Sequence, residues 1–123
     1  MDSKELALFC RECAENRKGE DLVILDMRKV TSLADFFVVC TGTSDPHLRA
    51  IVSEITERLK TDHGIKPRAR DGVGLASWVV VDYADVIVHV MKSEIRAHYD
   101  LEGLWGDAPR VRKPRAKAKK SVR

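Results

Sequence analysis

The chain has 123 residues, 44% of them hydrophobic and 33% charged, which fits one soluble domain with a real core and leaves little room for a second. No apolar run approaches the roughly 18 residues of a membrane span, and the first residues, MDSKE, lack the basic and apolar regions of a signal peptide, so we expect a cytosolic protein. The net charge of +3 combines an acidic body, −5 over residues 1–109, with a basic tail at residues 110–123, so the body suits a basic partner better than bare nucleic acid.

The first predicted element is a helix over about residues 4–16. Asp2 can cap it, and Glu5 follows three residues later as in a capping box. Its apolar positions recur at helical spacing, at Leu6, Phe9, Cys10, Cys13 and Ala14. Cys10 and Cys13 form a C-x-x-C, but no second Cys or His pair follows at zinc spacing, so we interpret them as reduced thiols in an apolar stripe.

Two strands and a second helix come next. Residues 21–26 and 34–40 are rich in strand-forming side chains, and the turn Thr41-Gly42-Thr43-Ser44 closes the second strand. Ser44 and Pro46 are typical of a helix start, and the helix should end near Gly64. The turn could cradle a phosphate at the helix N-terminus. It has no G-x-G-x-x-G pattern and no Walker lysine, however, and capping explains it without a ligand.

The last third of the chain predicts a β-hairpin. A weak strand at residues 66–69 and a loop at 70–74 precede two strand-like runs, 78–82 and 86–91, which residues 83–85 connect. A short helix at 93–98 and a closing segment at 100–105 follow. The order α-β-β-α-β-β-β-α predicts an α/β fold, with a mixed sheet of about five strands and helices packed over it.

The hairpin places acids and a histidine in an apolar run. Asp82 and Asp85 should flank its turn, where a carboxylate can meet water and bond a backbone N–H. A catalytic pair would instead need both carboxylates over a pocket with pKa values pushed apart. Alternation places His89 on the same face as Ile87 and Met91, where a half-buried histidine is the default and ligand or proton-transfer roles are alternatives.

Aromatic residues concentrate near these acids. Core packing explains some of them, but aromatic anchors beside acidic side chains also characterise protein-binding surfaces. The aromatic residues are Trp78, Tyr83, Tyr99 and Trp105, and the acids are Asp82, Asp85, Glu94 and Glu102. The segment is therefore interpreted as a hairpin that presents an acidic binding surface.

Taken together, these motifs resemble the ribosomal silencing factor (Iojap, RsfS) family. The first half of the likeness lies in residues 21–26 and 34–44. The second lies in the run WVVVDYADVIVHV at residues 78–90 and in the closing pattern Arg96-x-x-Tyr99-x-Leu101-Glu102-x-x-Trp105. The resemblance covers about residues 4–107, and the motifs in this order are specific to the family.

The resemblance implies a mixed sheet related to the nucleotidyltransferase fold, without that fold's chemistry and without a cofactor or metal. Members of the family bind ribosomal protein L-fourteen, a basic protein on the face of the large subunit that docks the small subunit. A protein seated there blocks subunit joining and slows translation when nutrients run short. Family members also tend to form homodimers.

We predict no catalytic residue, and we place the partner-binding surface on the last third of the chain. The main predicted contacts, or their direct supports, are Trp78, Asp82, Tyr83, Asp85, Tyr99 and Trp105. Further candidates, which could instead tie the last helix to the sheet, are His89, Arg96 and Glu102.

Two rival functions stay open at this point. A nucleotidyltransferase would use Gly42 and Ser44 for a triphosphate and an aspartate pair for magnesium, although Asp82 and Asp85 form D-x-x-D across a turn where that chemistry favours D-x-D. The other rival is a general RNA-binding module led by the basic tail, against which the charge of −5 on residues 1–109 argues.

Two features depart from the family pattern. The family often has glycine where this chain has Ala84, so a turn that needs positive φ there would be strained. The tail of residues 110–123 lies outside the shared region, and we predict a domain over residues 1–109 followed by a disordered tail. The tail is either a solvated extension or a non-specific, salt-sensitive contact with ribosomal RNA phosphates.

Overall fold

A computed structural model describes residues 1–72 and 77–111. In these residues the helices and strands are, in chain order, α1 Ser3–Asn16, β1 Glu20–Asp26, β2 Phe36–Gly42, α2 Asp45–His63, β3 Ala69–Asp71, β4 Trp78–Asp82, β5 Val86–Lys92, α3 Ser93–Tyr99 and α4 Leu101–Leu104. The described strands form one sheet in the order β1-β2-β5-β4-β3. β2 and β5 are parallel and the other pairs are antiparallel, which confirms the predicted mixed sheet.

The two long helices begin and end where the sequence predicts. The Asp2 carboxylate accepts from the Glu5 N–H at 2.8 Å, and the Glu5 carboxylate accepts from the Asp2 N–H at 2.9 Å, so both halves of the capping box are present. Ser44 caps α2 by accepting from the His47 N–H at 3.2 Å. Gly64 ends α2 in the left-handed conformation, at φ 66°. No helix in the described ranges combines the length and apolar content needed to cross a bilayer.

α1 and α2 pack on one face of the sheet and form the larger core. Its members come from alternate positions of the strands and from the apolar stripes of both helices: Leu6, Cys10, Ile24, Phe36, Val38, Ile51, Ile55, Val81, Val88 and Val90. Each fully buried aliphatic side chain contributes roughly 1.5–3 kcal/mol through removal from water. The three cysteines are free and buried, as predicted for thiols in an apolar environment.

The opposite face is only partly covered. α3 packs over β2 and β5 on this side, and Phe37, Val39 and Leu101 are buried there. Elsewhere on the same side of β4 and β5, Trp78, Val80 and Ile87 are half-buried. We call this part of the sheet, defined by Trp78, Val80 and Ile87, the open face.

One boundary differs from the prediction, since the weak strand lies at Ala69–Asp71 and not at 66–69. Close to the predicted start of the tail, the Pro109 carbonyl accepts from the Asp26 N–H at 2.7 Å and the Val111 N–H donates to the Ile24 carbonyl at 2.8 Å. Residues 109–111 are thus a strap along the edge of β1, and the remainder of the predicted tail, 112–123, lies outside the described residues.

Candidate partner-binding face

A chain of rings runs across the sheet from α4 to the end of α3. We call it the ring cluster, and its members are Trp105, Phe37, His89, Trp78 and Tyr99. Ring centroids lie 6.1 Å apart for Trp105–Phe37, 4.9 Å for Phe37–His89, 5.9 Å for Trp78–His89 and 4.9 Å for Trp78–Tyr99. Four of these residues are predicted partner-binding residues, and the fold brings them together on one face.

The ring cluster is buried at its centre and exposed at its Tyr99 end. His89 and Phe37 are only 7% and 5% exposed, whereas Tyr99 is 52% exposed and its ring contacts the half-buried Trp78 at an interplanar angle of 49°. Leu104, at the end of α4, is 69% exposed. An amphipathic ring with one face packed and the other free is suited to anchoring a protein partner.

His89 is a neutral, buried support of the ring cluster. The Trp78 Nε1–H donates to His89 Nδ1 at 3.2 Å, so the imidazole proton lies on Nε2. That nitrogen is buried and has no hydrogen-bond partner among the described residues. Burial lowers the pKa of His89 to about 4, because the charged form loses its hydration. The side chain also faces the side of Ile87 and Met91, as alternation predicts.

The hairpin turn separates three predicted contacts from the ring cluster. Asp82 lies four residues beyond Trp78 on the same strand, or about 13 Å at strand spacing. Its carboxylate accepts from the Ala84 N–H at 2.7 Å and from Arg68 Nη2 at 2.9 Å. Burial acts to raise the pKa of Asp82, but these two interactions outweigh it, and the pKa lies below its usual value. The predicted turn bond is therefore confirmed, and Asp82 serves the fold.

Tyr83 and Asp85 lie in different environments. Tyr83 is 7% exposed and packs in the core beneath α1, so of its two predicted roles, contact or direct support, the geometry favours support. Its hydroxyl finds no hydrogen-bond partner in the part of the chain that the structure describes, and burial raises its pKa. Asp85 is exposed, and its carbonyl accepts from the Asp35 and Phe36 N–H groups at 2.7 and 3.1 Å.

Arg96 and Glu102 hold α3 and α4 against the sheet. Arg96 donates from Nε and Nη2 to the two Glu102 oxygens at 3.2 and 2.7 Å, and from Nη1 to Thr41 Oγ1 at 2.8 Å. The Arg96 and Glu102 side chains are 10% and 19% exposed. The Arg96 hydrogen bond lowers the pKa of Glu102, with burial acting against it. This geometry supports the alternative prediction that both residues tie the last helices to the sheet.

The geometry does not assemble the features that a nucleotidyltransferase would use. In the turn before α2, the Thr43 N–H donates to His47 Nδ1 at 2.9 Å and the His47 N–H donates to the Ser44 hydroxyl at 3.2 Å, so two N–H groups that could hold a triphosphate already have acceptors. Asp82 is bonded to Arg68. Within residues 1–72 and 77–111, no group of three or more His, Cys, Asp or Glu residues could hold a metal ion.

Two exposed or central residues of this face were missed from the sequence. Phe37 connects His89 to Trp105, but the run of consecutive apolar residues in β2 does not indicate which face each one occupies. Leu104 is exposed, whereas its position beside Trp105 favours burial. Only the parallel pairing of Phe37 with Ile87 places Phe37 on the same face as His89.

Comparison with known proteins relates the chain to ribosome-associated factors. A family model described as "Ribosomal silencing factor during starvation" (RsfS) matches residues 1–123. The chain is 38% identical to the ribosomal silencing factor RsfS of Bacillus subtilis over 109 residues, which cover 89% of this chain and 92% of that protein. It is 30% identical over 92 residues to the Mus musculus protein named mitochondrial assembly of ribosomal large subunit protein 1, covering 71% of this chain and 39% of that protein.

The fold has solved counterparts as well. A crystal structure of a Chromobacterium violaceum protein is similar with a TM-score of 0.82 and 37% sequence identity, covering 86% of this chain and 88% of that one. A structure from Bacillus halodurans is similar with a TM-score of 0.76 and 34% identity, covering 89% and 98% of the two chains. The likeness thus covers most of both solved structures and is not restricted to one motif.

Proposed function

The chain belongs to the ribosomal silencing factor family, and from this premise we propose that it represses translation by binding the large ribosomal subunit. Its partner there is ribosomal protein L-fourteen, and the bound protein sterically blocks the small subunit from joining. The action is non-enzymatic and takes place in the cytosol. The observation that carries the proposal is the exposed Tyr99 ring in tilted contact with Trp78, at the edge of a sheet face that the helices leave open.

The open face offers an aromatic anchor and a negative surround. Asp71 is exposed on β3, and its pairing opposite Val80 places it on the side of the open face. Asp85 is exposed at the far end of the hairpin. Aromatic anchors supply most of the affinity in protein interfaces, and charges at the rim mainly accelerate association with a partner of opposite sign. Both features fit a basic ribosomal protein.

A subunit-joining experiment tests the proposal. Purified large subunits are incubated with the protein before small subunits are added, and joined particles are separated on a sucrose gradient. We expect the parent protein to reduce the yield of joined particles. Tyr99→Ala removes an exposed anchor without opening the core, and we expect it to need roughly thirtyfold more protein for the same effect, since interface anchors contribute about 2 kcal/mol or more.

Tyr99→Phe is the matched control, because it keeps the ring on Trp78 and removes only the hydroxyl. It should stay close to the parent. If saturating parent protein leaves the yield of joined particles unchanged, the function is wrong. If Tyr99→Ala blocks joining as well as the parent does, the function stands and this face is not the contact.

Charge at the same face affects the rate of binding. Asp82→Lys would break the turn bond and the Arg68 ion pair, so Asp71→Lys with Asp85→Lys is the cleaner change. Neither of these two carboxylates makes a side-chain hydrogen bond or ion pair within the described ranges. We expect slower association with large subunits and little change in dissociation, measured by surface-immobilised kinetics. If the double variant and the parent associate at equal rates, the charge of this surface does not steer association.

We propose further that the free protein forms homodimers, as the family resemblance implies. The dimer and the ribosome-bound state can be compared by light scattering and cosedimentation of the same preparation.

A further inference from the structure

A polar cleft lies on the helix side of the sheet, between α2 and the segment that leads into β3. Its volume is about 650 Å³, and its polar lining consists of Ser53, Thr56, Glu57, Lys60, Lys66 and Arg70. β3 forms the outer edge of the sheet beside β4. Arg70 pairs with Val81, whose side chain is in the core under the helices, so Arg70 points to the side of α2. The open face is reached around the same edge.

The three cations of the cleft form no ion pair with a carboxylate of the described residues. In residues 1–109 half of the 14 basic side chains form ion pairs, among them Arg68 with Asp82. Within the described part of that segment, the basic residues without one are Lys4, Lys18, Lys29, Arg49, Lys60, Lys66 and Arg70. Three of these seven line this single cleft, together with one acid, Glu57. In a body of net charge −5, that concentration of unpaired positive charge indicates an anionic ligand.

The lining favours phosphate groups over an acidic protein. Protein interfaces combine a rim of charge with an apolar core, whereas the described residues that line this cleft include no aromatic ring and no large aliphatic side chain. Nucleic-acid backbones are contacted by Lys, Arg and Ser or Thr without an apolar anchor. Ser53 adds a hydroxyl that makes no side-chain hydrogen bond to the described residues, while Thr56 already donates to the Val52 carbonyl at 3.0 Å.

We propose that this cleft binds the phosphate backbone of ribosomal RNA while the open face engages its protein partner. The inference rests on the proposed function, since a large subunit surrounds its proteins with RNA. Lys60, Lys66 and Arg70 each contact a phosphate, and the acidic remainder of the body keeps the protein from binding RNA indiscriminately. The cleft and the open face are two sides of one sheet edge, so a single docked orientation uses both.

The test compares two triple variants of the full chain. Lys60→Gln/Lys66→Gln/Arg70→Gln removes the charges of the cleft, and Lys4→Gln/Lys18→Gln/Arg49→Gln removes three unpaired charges elsewhere. Both keep residues 112–123, so the tail contributes equally. Affinity for purified large subunits is measured by cosedimentation over a series of salt concentrations, and affinity for isolated L-fourteen, which carries no RNA, is measured in parallel.

We expect the slope of log K against log salt to become shallower by about 2 to 3 for the cleft variant, at about 0.7–0.9 per lost phosphate contact. The control variant should keep the parent slope, and all three proteins should bind L-fourteen equally. An unchanged slope for the cleft variant overturns the proposal. So does an equal loss of affinity for isolated L-fourteen, which would make the cleft a protein contact.

Failure of the proposed function is distinguishable from failure of this site. If the parent protein does not bind large subunits, a fluorescein-labelled RNA hairpin replaces them as the probe in anisotropy titrations. A shallower salt slope for the cleft variant alone would then support a phosphate site independently of the ribosome. Identical slopes for the two triple variants would overturn it.

Discussion

His89 supports the aromatic side chains of the open face. Its Nδ1 holds the Trp78 indole, and Trp78 in turn supports the exposed Tyr99 ring. The arrangement requires a neutral imidazole, because a protonated Nδ1 can no longer accept the indole N–H. The buried Nε2–H has no partner among the described residues, so the positive charge of a protonated imidazole would be costly.

The pKa of His89 makes stability depend on acid. In the unfolded chain the imidazole takes up a proton near its ordinary pKa of 6.5, whereas in the fold it resists until about 4. Between these values the unfolded state binds more protons, so the free energy of unfolding falls as the pH is lowered, by up to about 3 kcal/mol in total. His89→Gln, which cannot titrate, should flatten this dependence in urea unfolding at pH 7, 5.5 and 4.5.

The exposed His98→Gln is the control for that comparison and should keep the slope of the parent. If His89→Gln loses stability with acid as steeply as the parent, the burial of His89 does not govern the acid response.

Ala84 carries a conformational cost at the hairpin turn. Its φ is 71°, and the Asp85 N–H donates to the Tyr83 carbonyl at 2.8 Å across it. An L-residue in this region is strained by roughly 1–2 kcal/mol. Ala84→Gly should relieve the strain and lose part of the gain to unfolded-state entropy. We expect Ala84→Gly to stabilise the protein by about 1 kcal/mol in thermal unfolding. The control Ala50→Gly, in α2, should destabilise it by a similar amount. If Ala84→Gly is destabilised, the turn is not strained.

For single residues, the sequence indicates which side chains are important more reliably than it indicates their roles. The positive φ at Ala84 was foreseeable from the glycine typical of the family, and the turn bond of Asp82 from its place beside the turn. The burial of Tyr83 was not predicted, although it continues the alternation of the buried Val79 and Val81 into the turn. Its core position depends on α1, which packs over it from the far end of the chain.

At the scale of elements, α3 is the least self-sufficient helix. It has seven residues, no side-chain cap and no fully buried side chain, and isolated helices of this length are unstable in water. Its attachment rests on Arg96, which connects it to Thr41 of β2 and to Glu102 of α4, and on the ring contact of Tyr99 with Trp78. The position of the exposed Tyr99 ring therefore depends on this attachment of α3.

Arg96→Gln tests that dependence. It removes the bidentate pair and leaves Glu102 and Thr41 short of a partner, which should cost about 2 kcal/mol. We expect faster amide exchange across residues 93–104 and a changed Trp78 emission spectrum, while exchange in α1 and α2 stays as in the parent. Arg58→Gln, which breaks a more exposed pair with Asp62, should do neither; unaltered exchange in 93–104 would mean that other contacts hold α3.

Elements with a local signal were predictable and those with a tertiary cause were not. α1 and α2 carry caps and apolar stripes in their own sequence, so their ends match the prediction. β3 has three exposed residues and no apolar alternation, and its position is fixed by pairing with β4. The strap at 109–111 likewise forms because β1 has a free edge, and no residue of the strap itself predicts this pairing.

On the scale of the molecule, both edges of the sheet are protected. The strap of Pro109, Arg110 and Val111 covers part of β1, and β3 is short with Arg70 and Asp71 on it. Short, charged or covered edges limit pairing with other chains. The strap also connects the acidic body to the basic residues of the segment 112–123, which follows it directly in the chain.

Removing residues 112–123 while keeping the strap separates the two roles proposed for the tail. The truncation after Val111 preserves the backbone bonds to β1, which a truncation at residue 109 would break. It deletes seven basic side chains and no acid, so we expect weaker binding to large subunits at low salt and convergence with the full chain at high salt. Cosedimentation at several salt concentrations measures this. Complete loss of binding at every salt concentration would instead favour an RNA-binding module led by the tail, because the open face alone would then be insufficient.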